Sequence, residues 1–375
     1  MITIFITIPW FHPAYKAGGP VQSVANLVNE YAAPGIKFYI YCGNTDLDGN
    51  VLNGVAFDEW VSYNQHTQVW YTSSKKREII QLLVDQVKPD MLFINGIYGV
   101  HFTMVPLLFC KAPRKIISVR GMLHSGALNQ KALKKKAWLL GWKLLGIHRR
   151  YQFHATNEEE KGFIQKQFGN KTKIFIAENF PRSFNLKTPA KKEVGHLTLV
   201  SVGIVSAMKN YLLVLQAMAA CKVAIEYHIY GSVKDELYWQ SCLNVINRLP
   251  ANIKVLHKGD IQPSKVEAML SAYQVFILPS KSENFGHAIY EALSSGTPVI
   301  TSHNTPWNGL EAAMAGKNVS LEIEPITNAI NFFAALNNKE YQQWSTGSAV
   351  YAAKAIDLDK IQEAYSIMFQ QGTDV

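Results

Sequence analysis

Residues 279–298 read PSKSENFGHAIYEALSSGTP, and the reading of this stretch decides the fold. The apolar run Val275, Phe276, Ile277, Leu278 just before it has the length and character of a buried strand. Residues 288–295 predict a helix with Ile289, Ala292 and Leu293 on one face and Gly296 as its stop. Between strand and helix lies the turn Asn284-Phe285-Gly286-His287, and two glutamates, Glu283 and Glu291, stand eight residues apart around it. The first glutamate then sits in the strand-to-helix loop and the second about two turns into the helix. The unpaired backbone N–H groups of a helix start lie between them and favour a phosphate. Carboxylates on either side accept hydrogen bonds from hydroxyls. The arrangement suits a sugar nucleotide, with one acid on the sugar and the other on the ribose.

The ordered set Pro279, Ser280, Glu283, Phe285, Gly286, Glu291, Ala292, Gly296, Pro298, Val299 and Ile300 resembles the donor-site signature of the family 4 glycosyltransferases. This is the E-x7-E group of the GT-B fold, and the resemblance extends in weaker form over nearly the whole chain. It implies an α/β protein of two facing Rossmann-like domains with the active site in the interdomain cleft. It also implies retaining, metal-independent transfer of a sugar from a nucleoside diphosphate to a hydroxyl. Glu283 would be the catalytic carboxylate, and Asn284, Phe285, Gly286, His287 and Glu291 would bind the donor.

Bulk properties agree with a globular α/β enzyme. A chain of 375 residues suggests two domains, each able to bury a core. With 48% hydrophobic and 17% charged residues it is neither disordered nor membrane-spanning. Residues 1–9 lack a basic start and alternate like a strand, which argues against a signal peptide. Cys42, Cys110, Cys221 and Cys242 form no C-x-x-C pair and read as thiols of a reducing cytosol.

The remaining pattern is two α/β halves. Strands are predicted at 2–8, 38–41, 68–71, 91–95, 115–119, 152–155 and 173–176, with helices between them, for example 76–87. The proline- and lysine-rich region that follows makes 181–196 a linker between domains at 1–180 and 197–356. After it, strands at 197–202, 224–230 and 253–257 alternate with helices at 211–220, 237–248 and 264–272, which argues a parallel sheet wound by helices. The resemblance implies that the terminal helix, within 357–375, packs back on the first domain. Ligands of such sheets sit at the carboxyl ends of the strands.

Other site residues follow from those strand ends. Gly203 closes a strand, and Lys209 in the loop after it resembles the lysine that clamps the donor diphosphate in the family. The family's arginine directly after that glycine is Ile204 here, and losing such a charge-assisted bond costs about 1.5–3 kcal/mol; Lys281 or Arg120 are candidates to replace it. Gly18 and Gly19 match paired glycines of the first strand-to-helix loop, where backbone approaches the donor. Gly231 and Lys258 end successive strands near the nucleobase. Asn95, Arg120 and His124 are acceptor-side candidates, Arg120-Gly121-Met122-Leu123 resembling a run common in polysaccharide-assembly members. Trp307 is as consistent with packing as with ligand contact. No Asp-x-Asp metal motif falls in the donor half, since Asp46-Leu47-Asp48 lies in a loop after the second strand, so neither metal nor cofactor is expected beyond the nucleoside diphosphate sugar substrate.

Net charge is +9, and seven of the 37 lysines and arginines lie in 131–150, KALKKKAWLLGWKLLGIHRR. Helical spacing groups Leu133, Leu140, Leu144 and Ile147 as an inward face. It places Lys131, Lys134, Lys135 and Arg149 outward with Trp138, Trp142 and Leu145, a face suited to an anionic membrane. No nucleic-acid motif is present. The expected setting is cytoplasmic surface-polysaccharide assembly on a lipid-linked glycan acceptor at the inner membrane face. The rival functions are a nucleotide-sugar epimerase on the same fold and a nucleotide-sugar-binding relative of weak activity.

Overall fold

A computed structural model describes every residue except 1, 32–34, 125–127, 129–131, 183, 185–187 and 371–375. Lys131 and the Ser125-Gly126-Ala127 part of the predicted acceptor loop fall outside the described residues. The chain divides into unit 1, Met1–Phe180 with Leu358–Val375, and unit 2, Pro181–Asp357.

Unit 1 runs β1 (Ile2–Thr7), α1 (Gly19–Glu30), β2 (Ile36–Gly43), β3 (Trp60–Asn64), β4 (Thr67–Thr72), α2 (Arg77–Val87) and β5 (Met91–Asn95). A π-helical turn (Val100–Met104), α3 (Val105–Phe109), β6 (Arg114–Ser118), α4 (Ala132–Leu144), α5 (Ile147–Arg150), β7 (Gln152–Ala155), α6 (Glu158–Phe168) and β8 (Ile174–Ile176) follow. The sheet order is β3-β4-β2-β1-β5-β6-β7-β8. Its pairs are parallel apart from β3 on β4, which is antiparallel. Ile4, Phe5 and Ile6 of β1 and Leu92, Phe93 and Ile94 of β5 are fully buried. That burial explains why these strands are apolar runs and not alternations. The chain reverses its winding between β1 and β5, so the loops carrying Gly18 and Gly96 leave the sheet at its switch point.

A last helix, Leu358–Gln370, belongs to unit 1. Its Tyr365 ring stacks on Phe180 at 5.3 Å and its Phe369 meets Phe93 edge-on at 6.0 Å. Arg114 donates to the carbonyls of Met368 (2.9 Å) and Phe369 (3.1 Å), a cation answering the negative end of the helix.

Helix α4 presents the opposite face to the one expected. Trp142 is 1% exposed and Leu139 is buried, whereas Leu133, Leu140 and Leu144 are 84%, 57% and 80% exposed. Both faces are apolar enough to pack, so spacing could not choose between them. The aromatic face wins because Trp142 lies near-parallel to Phe168 at 6.0 Å and the indole N–H of Trp138 finds the Ile97 carbonyl at 2.7 Å. Ile147 is buried as expected, but in the separate helix α5 beyond the left-handed Gly146.

Unit 2 comprises β9 (His196–Val202), α7 (Tyr211–Ala219), β10 (Ala224–Tyr230), α8 (Glu236–Ile246), β11 (Ile253–Gly259), α9 (Pro263–Leu270) and β12 (Val275–Leu278). Then come α10 (His287–Ser294), β13 (Val299–Ser302), β14 (Gly316–Val319), α11 (Ile323–Ala335) and α12 (Asn338–Ala355). Its parallel sheet has the order β11-β10-β9-β12-β13-β14, with the switch point between β9 and β12. The stretch 181–196 is no free linker. Phe184 enters the unit 2 core, and the Lys192 ammonium is buried against the carbonyls of Glu193, His196 (2.9 Å) and Ala334 (3.0 Å). A lysine that caps three carbonyls is a packing residue, though its charge reads as solvated in sequence.

Trp142→Ala is expected to lower stability by about 3–5 kcal/mol in urea unfolding, while Leu140→Ala stays within about 0.5 kcal/mol of the parent. Equal losses in the two variants would contradict this orientation of α4.

Candidate functional site

Two loops leave unit 2 on either side of its switch point, one after β9 and one after β12, and hydrogen bonding joins them. The Lys281 amide donates to the Met208 carbonyl at 2.8 Å. This tie sets Lys209 beside Glu283, and their Nζ–Oε1 distance is 2.5 Å, with both side chains largely buried. The Ser280 hydroxyl donates to the same Glu283 oxygen at 2.6 Å, and Ser280 is itself held by Ser302 Oγ donating to its carbonyl at 2.5 Å. The serine of the Pro-Ser pair thus orients the acid three residues further along the chain.

Glycine is required at the end of β10. A Cβ on Gly231 (φ 140°) would lie 2.1 Å from the Gly203 carbonyl oxygen, a separation no side chain tolerates. The two strand ends thus meet backbone to backbone, and the Lys209 stem crosses Gly203 within van der Waals reach of a Cβ position there.

Helix α10 starts at His287, one residue before the predicted start, with left-handed Gly286 (φ 78°) as its cap and no side-chain cap bond. A Cβ on Gly286 would stand 3.1 Å from Trp307 Nε1. That indole donates to the Phe285 carbonyl at 2.5 Å, and the Phe285 ring packs edge-on against Trp307 at 5.3 Å. Phe285 and Trp307 are core residues that hold the loop, and Phe285 reaches His287 at 4.7 Å. Asn284 and His287 are half-buried at the turn.

Glu291 is the fifth residue of α10, a little over one turn in and not two. It is 7% exposed, and among the described residues its carboxylate has no hydrogen-bond or ion-pair partner. Burial pushes its pKa from 4.5 up to about 7, against a smaller pull downward from the charge of Arg182. Arg182 donates to the Pro263 carbonyl at 3.0 Å and its guanidinium lies over Phe184 at 5.1 Å. It is the basic residue that sequence reasoning missed, because it stands in a stretch read as linker. A largely buried carboxylate that has no partner among the described residues is a candidate acceptor for a donor from outside the chain.

The other expected residues are dispersed. Lys258 is exposed on the edge strand β11, and Lys281 is exposed in the β12 loop. In unit 1, Gly18 (φ 73°, ψ −134°) is the N-cap of α1, while a Cβ on Gly19 would meet nothing within 4 Å. Asp46 holds that loop, accepting from the amides of Tyr15 (3.1 Å) and Lys16 (3.2 Å), and Asp48 pairs with Lys16 at 2.6 Å. Arg120 is 8% exposed and left-handed (φ 53°). Its Nε donates to Asn95 Oδ1 at 3.0 Å and its Nη1 to Asn179 Oδ1 at 2.5 Å. It braces the end of β5 against the chain at Asn179, and Asn95 is engaged in the same brace. His124 is half-buried at the end of the 121–124 turn, its ring edge-on to Phe163 at 5.1 Å.

Residues 184–316 match the model of the family described as glycosyl transferases group 1. Solved structures share the fold over the full length. Sucrose-phosphate synthase from Thermosynechococcus elongatus is 16% identical with a TM-score of 0.74, 99% of each chain being covered. HepE of Anabaena, in complex with UDP and glucose, is 14% identical with a TM-score of 0.72, covering 99% of this chain and 100% of its own. WaaG, a glycosyltransferase involved in lipopolysaccharide biosynthesis, is 12% identical with a TM-score of 0.67 and the same coverage. No curated protein sequence matches the chain. The chain has the GT-B fold, and residues 184–316, within unit 2, match the group 1 glycosyltransferase model.

The raised pKa of Glu291 has a stability consequence. Between pH 4.5 and about 7 the folded chain binds a proton there that the unfolded chain has released, so this group's contribution falls as pH rises through that window. Glu291→Gln removes the effect. The variant is expected to gain stability over wild type as pH rises, reaching at most about 3 kcal/mol above pH 7 and converging near pH 4.5. Denaturant melts across pH check this; a difference independent of pH would contradict it.

Proposed function

We propose that the chain is a family 4, E-x7-E glycosyltransferase that moves a sugar from a nucleoside diphosphate to a hydroxyl with retention. The observation that carries this reading is the junction of Lys209, Glu283 and the start of α10 around one loop pair, with Glu291, whose carboxylate has no hydrogen-bond partner among the described residues, one turn further along α10. On donor binding, the diphosphate takes the Lys209 ammonium and the positive end of α10, and Glu283, released from Lys209, accepts from sugar hydroxyls. Ribose hydroxyls supply the donors that Glu291 lacks. The bond from the anomeric carbon to the diphosphate oxygen breaks, the acceptor oxygen forms the new bond, and the acceptor proton leaves with the nucleoside diphosphate.

Charge that develops on the leaving oxygen meets a fixed cation, so this chemistry is proposed to run without a metal. Arg182 and Lys281 are the proposed sources of the positive charge missing at Ile204. On the acceptor side, His124 is the proposed polar group. The acceptor is proposed to be a lipid-linked glycan met at the cytoplasmic face of a membrane during surface-polysaccharide assembly. HepE with bound UDP and glucose, and WaaG in lipopolysaccharide synthesis, support the donor class and the setting.

Glu283→Ala and Lys209→Met are each expected to cut transfer by about 10²–10³-fold while thermal unfolding stays that of a folded protein. Mass spectrometry of reactions with a panel of nucleoside diphosphate sugars and glycan acceptors reads this out. A sugar altered without any acceptor would identify an epimerase instead, and nucleotide binding without product on any acceptor would identify a binding protein. A second expectation concerns pH. Ribose binding favours ionised Glu291, so nucleoside diphosphate affinity in calorimetry should rise more steeply between pH 6 and 8 in wild type than in Glu291→Gln, where only the ligand's terminal phosphate titrates, the range bracketing the Glu291 pKa of about 7. The same pH slope in both would remove Glu291 from the donor site.

A further inference from the structure

The residues from Met91 to Asn157 contain no aspartate or glutamate, and they hold eleven basic residues: Lys111, Arg114, Lys115, Arg120, Lys131, Lys134, Lys135, Lys136, Lys143, Arg149 and Arg150. Three of these serve the interior. Arg114 caps the helix Leu358–Gln370, Arg120 braces Asn95, and Lys115 donates to the carbonyls of Leu107 (2.7 Å) and Cys110 (2.6 Å) behind α3. Most of the rest lie on or beside α4.

On a helical projection Leu133, Ala137, Leu140 and Leu144 form one seam, at 100° per residue within about 60° of arc. All four are exposed. Lys136 and Lys143 border the seam on one side and Lys134 on the other, and all three are exposed as well. Next to the seam a groove of about 500 Å³ opens between Met104, Trp138, Gly141 and Leu145, with Lys134 at its edge. Leu145 is half exposed.

Three large aliphatic side chains in a row, left in water on a helix whose other face is already packed, need an apolar partner. The charge around them selects which. A second copy of this face would bring like charges together with no acid within the whole span to relieve them. A nucleic acid would answer the lysines but gain nothing from the leucines. A bilayer with anionic headgroups answers both: leucines enter the acyl boundary while lysine stems reach back to phosphates. We propose that α4 is a membrane-docking helix, lying in the plane of an anionic bilayer with Leu133, Leu140 and Leu144 inserted. The groove beside it would receive an acyl chain. This deepens the proposed function by naming the surface on which the acceptor is met, and it rests on that reading for nothing else. Among the described residues no helix is long and apolar enough to cross a membrane.

The test is flotation of the full chain with phosphatidylglycerol-containing vesicles and with pure phosphatidylcholine vesicles at low salt. Wild type is expected to float with the anionic vesicles only. The triple variant Leu133→Ser, Leu140→Ser, Leu144→Ser should reduce the bound fraction at least about tenfold with circular dichroism unchanged, because all three side chains are already in water. Lys134→Gln, Lys136→Gln, Lys143→Gln should do the same. The proposal is overturned if wild type stays with neither vesicle or binds both alike, or if the leucine variant floats as wild type does. It is also overturned if light scattering shows a wild-type dimer that the leucine variant loses, since a second copy then covers the seam. Nucleoside diphosphate affinity, measured without vesicles, fails or holds separately and reports on the donor site alone.

Discussion

The Lys209–Glu283 contact is what the rest of the donor unit is arranged to produce. It joins residues 74 apart in sequence across 2.5 Å. It can form only because β9 and β12 are neighbours at the sheet's switch point, so that the loops after both strands leave the same edge side by side. The amide bond from Lys281 to Met208 then fixes their relative height, and Ser280 fixes the carboxylate. A largely buried pair of this kind adds little net stability once both charges are desolvated. In the proposed reaction its value is orientation: a cation and an acid held still where a diphosphate and a sugar would replace each as partner of the other.

The two glutamates of the motif sit in different electrostatic environments eight residues apart. Glu283 has a cation and a hydroxyl, whereas Glu291 has burial with only the distant help of Arg182. Different surroundings for the two acids of one motif fit divided roles. In the proposed reaction one acid exchanges partners during each cycle. The other bears a desolvation cost that ribose hydroxyls relieve on binding.

What sequence could and could not show follows from the kind of interaction involved. Strands such as Met91–Asn95 and Val275–Leu278 were legible to the residue because buried parallel strands are continuous apolar runs. The strand–turn–helix around Glu283 was legible because its glycine answers a local backbone need, Gly286 standing at a left-handed cap, and because Ser280 lies three residues before the acid it bonds. Side-chain facing was not. The leucines and tryptophans of α4 offer two apolar faces, and only the aromatic partners Phe153 and Phe168, contributed by later elements, decide between them. Nor was the burial of Arg120 and Lys192 legible: a buried cation is recognised by the carbonyls or amides that enclose it, and those come from distant parts of the chain. β3 escaped because an antiparallel strand at the sheet edge, WVSYN, is only partly buried along its length.

A crystal structure with a bound nucleoside diphosphate tests the central claim most directly. It is expected to show phosphate oxygens within hydrogen-bond distance of Lys209 Nζ and of the first amides of α10, the Lys209–Glu283 contact broken or lengthened, and ribose hydroxyls on the Glu291 carboxylate. A nucleotide lodged elsewhere, with the Lys209–Glu283 pair intact and Glu291 still without a partner, would contradict it.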